Sequence, residues 1–80
     1  MTKLSILVRA IWDEEAGVWV ATSEDVPGLV AEAETTQALE EKLECLIPIL
    51  LEENGRLPKQ TAEVPLFILH ERTTKVLLKA

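Results

Sequence analysis

Trp12-Asp13-Glu14-Glu15-Ala16-Gly17-Val18-Trp19-Val20-Ala21-Thr22-Ser23-Glu24-Asp25-Val26-Pro27-Gly28-Leu29 is the stretch that decides the fold. It reads as the end of one strand, an acidic turn, a second strand and a Pro-Gly turn into a third. Gly17 closes a hairpin loop of about three to five residues. Pro27 fixes φ and Gly28 permits positive φ, so the chain must turn there. Together these features set an antiparallel meander at the N-terminus.

Working outward, Leu4 to Trp12 forms the first strand. Leu4, Ile6, Val8, Ala10 and Trp12 share one face; Ser5, Leu7, Arg9 and Ile11 share the other. In the second strand, Val18, Val20 and Thr22 oppose Trp19, Ala21 and Ser23. Both strands are apolar on both sides. Leu29 to Glu34 alternates with period two and makes a third strand. Thr35-Thr36 then supplies a hydroxyl to cap a helix. Leu39, Leu43, Leu46, Ile47 and Leu50 form one helical face, and Asn54-Gly55 stops it. Pro48 lies inside this pattern and predicts a kink or an early break. Ile49 and Leu51 fall off the stripe. Val64 to Glu71 is a fourth strand, with Pro65 suited to its start or to an edge. Lys75 to Lys79 is a candidate fifth.

The expected fold is therefore α+β: an antiparallel sheet of three to four strands with one amphipathic helix on one face, in the order β-β-β-α-β. It occupies residues 1–80 as a single domain. A chain of 80 residues buries only roughly 60% of its unfolded surface, and one helix covers one sheet face. Homo-oligomerisation, as a dimer or tetramer, is the expected remedy. Which of Trp12 and Trp19 is exposed depends on the strand register, which the pattern leaves open.

Net charge is −6, distributed unevenly. Residues 1–54 carry twelve acidic and three basic groups (Lys3, Arg9, Lys42); residues 55–80 carry five basic groups against Glu63 and Glu71. An acidic body does not neutralise phosphates, so direct nucleic-acid binding is not expected. It keeps a small protein soluble and attracts a basic partner. The single cysteine, Cys45, excludes an internal disulfide; beside Leu46 and Ile47 it reads as a buried structural thiol. With no signal-like start and no apolar run of about 18–20 residues, the chain reads as cytoplasmic and not membrane-bound.

Chemistry-bearing patterns are sparse. Asp13, Glu14, Glu15, Glu24, Asp25, Glu32 and Glu34 are spread over turns and a strand, so they do not predict one divalent-metal site. His70 has only Glu71 beside it, on the opposite strand face. There is no phosphate-cradling glycine loop and no paired Cys or His ligands. The expectation is a non-enzyme with no cofactor and no metal.

The run Gly17-Val18-Trp19-Val20-Ala21, then Asp25-Val26-Pro27-Gly28, an alternating strand, Glu34-Thr35 and an amphipathic helix resembles the HicB-like antitoxin fold. More closely it is similar to a small uncharacterised bacterial branch related to HicB. The likeness covers roughly residues 4–55. It implies a partial ribonuclease-H-like βββαβ unit without nuclease activity. It further implies binding to a HicA-like toxin, a small basic protein that cleaves mRNA and whose active face the antitoxin masks. Ser23 and Glu24 stand where the family places an aromatic residue and a proline. The DNA-binding domain usual in the family is not expected here. Candidate partner contacts are Trp12, Trp19, Asp25, Glu40, Glu41 and Glu44. The alternative is a free-standing homo-oligomeric module binding a protein or small molecule.

Overall fold

The computed structural model describes residues 5–60 and 62–79. It comprises β1 (Ile6–Asp13), β2 (Val18–Thr22), β3 (Val30–Ala33), α1 (Thr36–Glu53) and β4 (Leu66–Glu71). The strands form one sheet in the order β3-β2-β1-β4. β1–β2 and β2–β3 are antiparallel, as the meander requires. β4, expected in an antiparallel sheet, joins β1 in parallel, so the sheet is mixed. The cause is topological. Two reversals leave β3 parallel to β1, and one helical crossover returns the chain in the direction of β3.

Local chemistry sets each turn. In the hairpin, Asp13 Oδ1 accepts from the Glu15 and Ala16 amides, and Gly17 donates to the Asp13 carbonyl at φ +66°. Gly28 takes φ +84° in the second turn. Thr35 caps α1, its hydroxyl accepting from the Ala38 amide at 3.0 Å. At the far end the Asn54 side chain donates to Leu50 O and Pro27 O, tying the helix to the Pro27-Gly28 turn.

The core is a sheet-on-helix layer. Ala10, Ala21 and Ala31 stand side by side across β1, β2 and β3, all buried. This row of small side chains makes room for Leu39, Leu43, Ile47 and Leu51, the buried stripe of α1. Leu51, expected off the stripe, is buried, whereas Leu46 and Leu50 are half-buried. The drift follows from spacing: i, i+4 steps exceed 3.6 residues per turn, so the buried line walks around the helix. Cys45 is exposed rather than buried. Its apolar sequence neighbours point elsewhere, because successive helical residues diverge by about 100°.

The early break at Pro48 does not occur; α1 continues to Glu53. A helix-interior proline costs about 3 kcal/mol. Burial of Leu51 beyond it returns roughly 1.5–3 kcal/mol, and the Asn54 cap adds to that. The expected strand at Lys75–Lys79 also does not form: residues 72–79 have no regular structure. That segment leaves the body. The molecule measures 59 × 27 × 19 Å, about twice the ~27 Å length of an 18-residue helix.

Two substitutions probe this layer. Ala21→Leu overpacks the alanine row and should cost about 1–3 kcal/mol in urea unfolding; a neutral result would contradict close packing there. Pro48→Ala restores a helical amide on an exposed flank, and should raise stability by up to about 3 kcal/mol, read as a higher midpoint at unchanged slope.

Candidate functional site

Alternation that buries Ile6, Val8 and Ala10 turns Leu7, Arg9 and Ile11 to the other side of the sheet. The β4 register adds Phe67 beside Leu7 and Leu69 beside Arg9 on that side; β3 adds Val30. Among the described residues nothing covers this face. Ile11 is 53% exposed, Phe67 56% and Val30 64%. Exposed apolar groups scattered singly are ordinary, but Leu7, Phe67 and Leu69 adjoin across the β1–β4 register, and clustered apolar surface is the kind by which proteins associate. Arg9 crosses it, its guanidinium donating twice to Glu71 Oε1 at 2.6 and 2.9 Å. Both partners are about half exposed, so this pair contributes about 0–1 kcal/mol and serves chiefly to hold β1 against β4.

The loop after β2 borders the same face. Ser23 Oγ donates to the Leu7 carbonyl at 2.6 Å, and Asp25 Oδ2 accepts from the Leu7 amide at 2.8 Å. These side chains complete the pairing of β1 beyond the point where the β1–β2 ladder ends at Arg9–Thr22. Asp25, a candidate partner contact, is thus already committed to the backbone.

On the helix side, the other end of the sheet carries an aromatic cluster. Trp12 pairs with Trp19 across β1 and β2, so the register places both on one side. Neither is fully exposed; each is half-buried. Their rings meet edge to face at 5.3 Å, and Trp19 meets His70 likewise at 5.0 Å. The Arg72 guanidinium lies over Trp12 at 4.8 Å, and Trp12 Nε1 donates to Glu14 Oε2 at 2.6 Å. The two tryptophans form one joined surface.

The remaining candidates, Glu40, Glu41 and Glu44, are exposed on α1. They do not converge with the tryptophans or with Asp25. Glu44 and Pro48 border a groove of about 590 Å³ between the C-terminal half of α1, Ile6, Leu66 and the 57–64 segment. The groove exists because α1 packs chiefly on β3 and β2 and leaves Leu66 of β4 only half-buried. Among the described residues, no group of three or more His, Cys, Asp or Glu side chains is placed to hold a metal. No helix among them is long and apolar enough to cross a membrane.

A family model described as a domain of unknown function, DUF1902, matches residues 5–80. The chain belongs to the DUF1902 family. A solved structure similar to it is that of the hypothetical protein TTHA1013 from the extremely thermophilic bacterium Thermus thermophilus. That protein is 45% identical, with a TM-score of 0.68, and the match covers 94% of this chain and all of the other. No curated protein matches the chain.

In this DUF1902 chain the apolar sheet face lies outside the candidate set Trp12, Trp19, Asp25, Glu40, Glu41 and Glu44. Its signal was present in the sequence, since strands with large apolar groups at both parities cannot hide both sides beneath one helix. Phe67 and Leu69, at alternate positions of the fourth strand, were the missing half. The aromatic cluster yields a direct test. A double-mutant cycle on Trp12→Ala and Trp19→Ala should return a coupling of about 0.5–1.5 kcal/mol in denaturant unfolding. Additive losses would show that the rings do not interact.

Proposed function

We propose that this protein is a non-enzymatic, HicB-like antitoxin-type module that acts by covering the active face of a small basic, RNA-cleaving HicA-like toxin. The observation that carries this reading is the bare apolar sheet face around Leu7, Ile11, Phe67 and Leu69, set in an acidic body. Apolar burial supplies affinity at such a surface. The acidic groups on α1 and in the turns raise the encounter rate with a basic partner and disfavour acidic ones. The order of strands, turns and helix, α+β in both, supports the likeness to HicB-like proteins.

A second reading, a homo-oligomeric binding module, is favoured by the segment 72–79, which leaves the body with Val76, Leu77 and Leu78 exposed. Nothing within its own chain employs those side chains among the described residues.

The antitoxin reading is tested with a purified HicA-like ribonuclease and an RNA substrate. Equimolar protein should suppress cleavage. The suppression should weaken as salt rises. Ile11→Asp with Leu69→Ser should weaken inhibition roughly tenfold or more, with circular dichroism confirming that the body still folds. Undiminished RNA cleavage in the presence of excess wild-type protein would end this reading.

A further inference from the structure

We propose that two copies of this chain join through β4 and the segment that follows it. Each arm, Thr73–Lys79, would pair antiparallel with the free edge of the partner's β4, about a twofold axis at Thr73.

The two sheet edges differ. β3 is four residues long, and Lys42 Nζ donates to the Glu32 carbonyl on it, which blunts that edge. β4 is six residues long, and its outer edge meets no strand among the described residues. The direction of its hydrogen bonds follows from one contact. The Ile6 amide donates to the Pro65 carbonyl, so in a parallel ladder Phe67, Leu69 and Glu71 face β1. The N–H and C=O groups of Leu66, Ile68 and His70 therefore point outward with no partner. The arm continues directly from this strand. Val76, Leu77 and Leu78 are 76%, 84% and 85% exposed, and no backbone hydrogen bond engages residues 72–79 among the described residues. A free edge and an unpaired apolar continuation of the same strand are complementary between two copies, though not within one.

Charge points the same way. The arm and its root carry Arg72, Lys75 and Lys79 without an acidic residue, whereas the first 54 residues hold twelve. The groove beside Leu66 is apolar, with Glu44 and Lys59 both on its lining, so the charge match lies between a basic arm and the acidic body as a whole.

Register is also constrained. The even-numbered residues of β4 must pair with even-numbered residues of the arm to meet its outward groups. Centring the axis on Arg72 would set two guanidinium groups face to face. Centring it on Thr73 sets Glu71 opposite the partner's Lys75, Leu69 opposite the partner's Leu77 and Ile68 opposite the partner's Leu78. Opposite charges, apolar pairs and a Thr–Thr pair are the favourable cross-strand combinations. The partner's Leu78 then lies on the helix side, where the groove opens. The two sheets become one continuous sheet, and the partner's Leu77 extends the apolar face of each copy beside Leu69.

This inference deepens the self-association reading and is tested without any toxin, although the partner's Leu77 meets the margin of the open face at Leu69. The experiment uses the full chain in a Cys45→Ser background. Sedimentation equilibrium at micromolar concentration should give twice the chain mass of 8.9 kDa. Thr73→Cys should oxidise to a disulfide-linked dimer, since facing residues at a non-hydrogen-bonded antiparallel site are within disulfide reach. Arg56→Cys should not. Removing residues 74–80, or making Val76→Ser with Leu78→Ser, should halve the mass while the circular dichroism of the body is retained. A full-length monomer would overturn the proposal. So would a dimer that survives both arm variants, or one that Thr73→Cys fails to cross-link.

Discussion

A sheet has two faces and two edges, and among the described residues a single helix is available to cover them. α1 settles on β2 and β3 because the alanine row Ala10-Ala21-Ala31 admits its leucines there. From that one packing choice the rest follows. The helix side beside Ile6 and Leu66 is left as a groove. The opposite face is left bare, with Leu7, Ile11, Phe67 and Leu69 in water. The β4 edge presents unpaired amides and carbonyls. A fold with so small a core, and with this much apolar surface outside it, has reason to bind another chain.

The interactions that do close the body are local and polar. Asp13 builds the hairpin, Ser23 and Asp25 extend the end of β1, Thr35 starts the helix, and Asn54 fastens its end to the second turn. Two acidic residues, Asp13 and Asp25, are thereby occupied with backbone groups rather than displayed to a partner. Charge in this protein is better understood as a field that selects the sign of a partner than as a set of contact points. In the proposed complex the contact itself falls to the apolar sheet.

Local chemistry was legible in the sequence. Period-two alternation, Gly17, Pro27-Gly28 and the Thr35 cap located the meander and the helix start, because each acts within a few residues. What depended on distant pairing was not legible. The parallel direction of β4 comes from the crossover, not from Val64 to Glu71. The side shared by Trp12 and Trp19 comes from the β1–β2 register. Lys75 to Lys79 has strand-like composition, yet a strand requires a neighbour, which one copy does not supply. At Pro48, an intrinsic preference lost to tertiary burial of Leu51. Among the charged and aromatic candidates, Trp12 and Trp19 form a joined surface and Asp25 braces the β1 backbone. The bare face was foreshadowed only by apolar residues at both parities of β1 and β2.

Amide exchange in β4 tests the central claim, that another chain completes what one helix leaves uncovered. Phe67, Leu69 and Glu71 are bonded to β1 and should be protected in either case. The account predicts that Ile68 and His70 are protected as well, together with Val76 and Leu78 of the arm, and that their protection rises with protein concentration. If Ile68 and His70 exchange at the rate of an unstructured chain at every concentration, while their odd-numbered neighbours stay protected, the edge is unpaired in solution and the account is contradicted.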